Sequence, residues 1–215
     1  MQARVTIGSG RPGRPEKYKA DVVLETALDL YWTEGVSALS VNDLARRMGM
    51  PKPSIYRHFL SEDSLQASVL LAYEATVLAS LNEIMCRPVS FSLQLTEITE
   101  ALITGIKTHS RGCLLFQMRE AGDSLGPVTR VACEQVFARY STGVKDWLDT
   151  AVQKGDISLH ANSVTATHLF LGLITLIRNG FRDGLDDAGV RTLANTHLAG
   201  IFQLKTTQAA RVFKL

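Results

Sequence analysis

From Val23 to Leu204 the apolar residues of this chain recur three and four positions apart, and nowhere do they alternate in twos over a useful length. That pattern confines the chain to an all-α fold. Val23, Ala27, Leu30 and Tyr31 open the series, and Gly35 ends the first helix. Ser40 with Asp43 three residues on reads as a capping box for a short second helix. Val41, Leu44, Ala45 and Met48 form its inner face, and Gly49 stops it. Pro51 and Pro53 then fall in a first helical turn, where the backbone nitrogen has no intrahelical partner, so they mark a start rather than a break. Ser61 caps a long helix that runs to about Cys86. The breakers "RPVS", "SRGC", "SLGP", "KGDISLHAN" and "RDGLDDAG" divide the rest into further helices. Asn162 or Ser163 caps the next-to-last, which ends near Phe181, and the last ends near Leu204. The total is about nine helices.

The chain has 215 residues, enough for one sizeable core or a small domain joined to a larger one. Its net charge of +2 says little about partners. The distribution says more: Arg4, Arg11, Arg14, Lys17 and Lys19 face only Glu16 before Ala20. A basic arm on a near-neutral body is a footprint for a polyanion. No secretory signal is visible, and the apolar stretch "HLFLGLITLI" stops at Arg178, too short for the ~20 residues of a membrane span. No membrane partner is expected. Cys86, Cys113 and Cys133 have no metal-like spacing and fit a reducing cytoplasm.

The stretch "GMPKPSIYRHF" crowds Lys52, Ser54, Tyr56, Arg57 and His58 onto one short helix, with only Ile55 and Phe59 spaced to be buried. Two short helices joined by a Gly-containing turn make a helix-turn-helix, whose second helix enters the major groove of DNA. The clustered donors suit phosphate oxygens and base edges. A small helical hairpin with a solvated polar face is the plainer alternative.

These residues resemble the TetR/AcrR family of transcriptional regulators. The resemblance covers Ala27 to Leu65 and rests on Gly35, "LSVNDLA", Gly49 and "IYRHF"; "RGCLLF" further on is similar to an element found in many members. It implies a flexible basic arm over residues 1–15 and a helix-turn-helix domain over 16–62 with a connecting helix to about 86. A C-terminal ligand-binding and dimerisation domain would follow over 87–215. It further implies a cytoplasmic homodimer on a palindromic operator of double-stranded DNA, usually repressing and released by a small, mostly apolar effector. By position, Ser40, Tyr56 and His58 would contact phosphates, Lys52, Pro53 and Ser54 would face bases, and Arg57 would add charge. Two departures stand out: Pro51 replaces the usual Ser or Thr cap, and Glu62 replaces a usual lysine. In the arm, "RPGRP" resembles minor-groove hooks, with Arg11 and Arg14 entering a narrow A·T groove.

Aromatic residues at helical positions, such as Phe137 and Phe181, go mostly to the core, with some lining a cavity between helices. The expected pocket draws on Cys113, Phe116, Met118, Trp147, Phe170 and Ile174. His109 and Cys113 have helical metal-ligand spacing, but Ser110 and Gly112 break the helix and two ligands do not make a zinc site. No metal and no cofactor are expected. No phosphate loop or nucleophile elbow appears, so the chain does not read as an enzyme. Three alternatives stay open: an architectural DNA-binding protein without an inducer, a thiol redox sensor through Cys113, and an all-α enzyme using Cys113 and His109.

Overall fold

The computed structural model describes residues 20–205. Nine helices carry the fold among these residues. Helix α1 is Ala20–Glu34, α2 Val41–Arg47, α3 Lys52–His58 and α4 Glu62–Cys86. Helix α5 is Phe91–Thr108, α6 Leu114–Ala121, α7 Pro127–Lys154, α8 Ser163–Arg182 and α9 Asp187–Ala199.

Local chemistry sets the boundaries. Ser40, Ser61, Ser90, Asn162 and Asp186 each accept a backbone amide at the start of their helices. Gly155, with φ of 75°, ends α7 in the left-handed region that a side chain would disfavour. One expectation fails. The last helix stops at Ala199, and Phe202–Leu204 instead forms strand β2, antiparallel to β1 at Ile157–Leu159. Three residues per strand are too few to show a period of two, and their pairing joins segments that the sequence keeps apart.

The core has two lobes. The first gathers Tyr31, Leu44 and Ile55 of α1–α3 with Leu65 and Leu70 of α4, Leu115 and Met118 of α6, and Val136 of α7. The second gathers Leu95 and Ile103 of α5, Leu148 of α7, Leu173 and Ile177 of α8, and Val190 of α9. Each fully buried aliphatic side chain contributes roughly 1.5–3 kcal/mol. Helices α4 and α7 pass through both lobes and pack on each other. Helix α4 also carries a π turn, Glu74–Leu78, whose first residue is held from α7 by Arg139 through two bonds of 2.7 Å.

By length and composition alone, α4 and α8 could cross a bilayer. The expectation weighed only the stretch that stops at Arg178, whereas the whole of α8 has 20 residues and α4 has 25. Their apolar faces are used inside the protein: Leu65, Val69 and Leu70 from α4, and Phe170, Leu171, Leu173 and Ile177 from α8, are buried in the core.

Candidate nucleic-acid interface and effector cavity

Helices α2 and α3 form a corner. The Ser40 hydroxyl accepts from the Asp43 amide at 3.3 Å, and the Asp43 carboxylate accepts from the Ser40 amide at 3.1 Å and hydroxyl at 2.6 Å. These bonds from Ser40 hold Asp43 below the usual carboxylate range. Gly49, with φ of 61°, turns the chain, and Met50 is buried behind it. Pro51 precedes α3 and supplies no side-chain cap, the loss that the sequence suggests.

Of the seven residues of α3, only Ile55 is fully buried. Pro53 and Arg57 are exposed, and Lys52, Ser54, Tyr56 and His58 are half-buried. Lys52 Nζ lies 5.4 Å from the centre of the Tyr56 ring, a cation–π contact that holds both at the start of the helix. Phe59 packs on the core from its half-buried position. Ile55 thus pins the helix from below while its donors remain on the outside. Arg11 and Arg14 lie outside the described residues.

Glu62 does not hang free. Its carboxylate accepts the Val41 amide at 3.1 Å, so it caps α2 across the corner. The sequence places Glu62 only in the first turn of its own helix and misses this contact, which spans 21 residues.

A second site lies between α4, α5, α6, α7 and α8. It is a cavity of about 140 Å³ whose walls include Tyr73, Val77, Leu102, Phe116, Phe170 and Ile174. Cys113, at the cap of α6, and Tyr140 of α7 also reach it. Four of the six expected pocket residues line it: Cys113, Phe116, Phe170 and Ile174. Met118 and Trp147 do not. Met118 is fully buried in the first lobe, one turn past Cys113 on α6. Trp147 stacks on Phe91 at 4.6 Å and donates to Gln94 Oε1 at 2.8 Å, which fixes it in the second lobe. The sequence misses Trp32, Tyr73 and Tyr140 as wall residues, because each sits on a helix whose local pattern says only that it is half apolar.

Burial raises the Cys113 thiol above its usual range, although bonds from Tyr73, Phe116 and Leu115 oppose that rise. A redox-sensing thiolate needs a lowered value, so this geometry speaks against that alternative. Neither His109 nor Arg111 is among the groups that shift the thiol. His109 stacks on Trp32 with ring centres 3.6 Å apart, and Arg111 lies against Gly35. A wider hollow of about 1150 Å³ opens beside residues 35–38. Its charges largely neutralise each other, as in Lys107–Asp187 at 2.7 Å and Arg178–Glu120 at 3.5 Å, and it opens to solvent.

Trp32 joins the two sites. It belongs to α1, which packs in the first lobe beside α2 and α3, yet its indole lines the cavity. Its Nε1 donates to the Gly112 carbonyl at 2.6 Å, and Gln117 Nε2 lies 3.2 Å from the carbonyls of both Trp32 and Gly112. Gly112 has φ of 84°, where a side chain would be strained. The cavity wall and α1, which packs with α2 and α3 in the first lobe, therefore share one bonded strap.

Residues 23–69 match the family model described as "Bacterial regulatory proteins, tetR family". The HTH-type transcriptional repressor ComR of Escherichia coli is 34% identical over 61 residues, 28% of this chain and 29% of ComR. The chain thus spans under a third of that relative. The HTH-type transcriptional repressor BdcR of the same organism is 28% identical over 141 residues, 64% of this chain and 69% of BdcR. A TetR-family transcriptional regulator from Agrobacterium tumefaciens shares the fold, with a TM-score of 0.76 at 19% identity, over 86% of this chain and 97% of its own.

Proposed function

The chain belongs to the TetR family and is a DNA-binding transcriptional regulator, and from that premise we propose a ligand-responsive repressor acting as a homodimer on a palindromic operator. Helix α3 enters the major groove. Lys52, Pro53 and Ser54 face base edges, Ser40, Tyr56 and His58 meet phosphates, and Arg57 adds charge along the backbone. Residues 16–62 serve as the DNA-binding domain and 87–215 as the effector and dimerisation domain, linked by α4.

The observation that carries this reading is the Trp32 strap between the cavity and α1, which packs with α2 and α3. A ligand that fits the cavity only when the strap shifts binds one α1 position better than another. Such a difference in affinity is what moves a conformational equilibrium. The architectural alternative gives this apolar cavity no role and the ligand-responsive form does, which favours the latter.

Dimerisation uses α8 and α9. Val164 and Leu169 of α8 are exposed large apolar residues on an otherwise core-forming helix. A two-fold axis beside them would cover both copies and match the symmetry of an operator. The protein acts in the cytoplasm, where its DNA is.

The test is a duplex-binding titration of the full chain followed by addition of candidate apolar ligands. Trp32→Phe keeps an aromatic ring but removes the donor to Gly112. The expected result is normal DNA affinity and a blunted response to ligand. A Trp32→Phe protein that responds to ligand like the parent would remove the basis for this coupling.

A further inference from the structure

The geometry points to a ligand class for the cavity: an uncharged molecule of one aromatic ring with at most a short substituent. This rests on the ligand-response reading and narrows it.

Size comes first. The cavity of about 140 Å³ is close to the ~150 Å³ apolar cavity that stays dry and binds benzene. One ring fills it. A fused pair of rings or a long chain would have to push the walls aside, and closely packed interiors resist that.

One wall residue shows that the space is kept open. Gly105 lies inside α5 and lines the cavity. Its φ is not positive, so the backbone there is one that any residue adopts. A Cβ built on it meets no atom within 4 Å. Neither the backbone nor a close neighbour therefore requires a glycine, and a glycine inside a helix weakens that helix relative to alanine. What the missing side chain leaves is room.

Charge comes second. No Asp, Glu, Lys, Arg or His side chain lines the cavity among the described residues. An ion entering it would lose its hydration and meet no opposite charge, so the site rejects carboxylates and ammonium groups. Two polar groups of the wall already serve the backbone. The Ser80 hydroxyl donates to the Val77 carbonyl at 2.8 Å, and Trp32 Nε1 donates to the Gly112 carbonyl at 2.6 Å. Burial also raises the Tyr73 and Tyr140 phenols and the Cys113 thiol above their ordinary ranges, so all three stay neutral.

The walls favour a flat ring. Trp32, Tyr73, Phe116, Tyr140 and Phe170 are among them. Trp32 and Tyr73 already meet edge to face, with ring centres 5.0 Å apart. An aromatic ligand continues that packing through its own face and edge. A puckered ring is thicker and lacks it.

The experiment is isothermal titration calorimetry of the full-length protein with toluene, methylcyclohexane, naphthalene, benzoate and benzylammonium. Toluene should bind, and naphthalene should bind about tenfold more weakly because it overfills the space. Methylcyclohexane should be weaker than toluene by a few-fold, and the two ions should not bind. Ile174→Ala, which enlarges the cavity, should bring naphthalene to within a few-fold of toluene. Gly105→Ala should unfold at higher urea and bind toluene a few-fold more weakly, since its methyl takes part of the room. Absence of toluene binding would overturn the assignment. So would naphthalene, methylcyclohexane or either ion binding as tightly as toluene in the parent. Unchanged toluene affinity in Gly105→Ala would overturn its placement beside Gly105. DNA release is measured separately on a labelled duplex. Toluene that binds in this pattern but leaves DNA bound would uphold the ligand class and contradict the repressor's response. Release of DNA by benzoate or naphthalene but not by toluene would do the reverse.

Discussion

The Asp63 carboxylate accepts the backbone amides of Val128 and Thr129 at 3.0 and 2.8 Å, so the start of α4 caps the start of α7. The Thr129 hydroxyl completes the clasp, within 2.7 Å of the carboxylate and 2.8 Å of the Asp63 carbonyl. Gly126 makes room for it, since a Cβ there would lie 2.2 Å from Asp63 Cγ. The clasp stands five residues after the end of α3, and so ties the α2–α3 corner to α7, the longest helix among the described residues.

Breaking this clasp should destabilise the fold. Asp63→Ala removes a cap worth about 1–2 kcal/mol, and Gly126→Ala should cost a similar amount by forcing the carboxylate aside. Burial of Asp63 opposes its ionisation, but the bonds from Thr129 and Val128 outweigh it and hold the carboxyl below its usual range. A depressed value means the stabilisation is complete above the unfolded-state range and is lost as pH falls through the folded value. Urea melts of parent and Asp63→Ala should therefore differ near neutral pH and converge in acid. A gap that stays constant into acid would show that the carboxylate charge plays no part.

Base preference should follow the early residues of α3. Pro53→Ala and Ser54→Ala should change which bases are selected, because the start of a recognition helix faces base edges. Tyr56→Phe should weaken all duplexes about equally, because phosphates carry no sequence information. Selection from a random duplex pool reports both. Unchanged preference in the two early variants would mean that another face of α3 meets the groove.

Glu62 should act as a brake on DNA affinity. Its carboxylate serves α2 by accepting the Val41 amide, beside the Ser40 hydroxyl proposed to meet a phosphate. Glu62→Gln keeps an acceptor for that amide and removes the negative charge. Binding should tighten a few-fold at low salt, and the gain should fade as salt screens it within ~10 Å at 0.1 M. Fluorescence anisotropy at two salt concentrations measures this. An affinity unchanged at low salt would place the carboxylate too far from the backbone to matter.

Much of the frame is legible in the sequence because its signals are local. The Ser40–Asp43 box, the Ser61 and Asn162 caps, and the proline start of α3 each act within four residues. The buried Ile55 also follows from spacing alone. The rest depends on distant partners. The Trp32 bond to Gly112 spans 80 residues, and the Asp63 bond to Thr129 spans 66. Nothing near Trp32 in the chain says that its indole reaches a cavity. Trp147 shows the converse: an aromatic at helical spacing looks suited to a pocket, and only its bond to Gln94 reveals that it is core.

The dimer face gives another test. Leu169 of α8 is 39% exposed while its neighbours Phe170 and Leu171 are buried. Leu169→Glu should leave the fold intact and shift light scattering from dimer to monomer, because a charge buried without a partner at an interface is costly. A variant that stays dimeric would move the interface off this face of α8.

The proposed repressor reads DNA through α3 as a symmetric pair. Selection of bound duplexes from a random pool by the full-length parent, sequenced without prior choice of operator, tests it most directly. One enriched inverted repeat, bound by two copies of the chain, is the expected result. A pool with no enriched sequence, or one enriched in a lone half-site bound by a single copy, would contradict it.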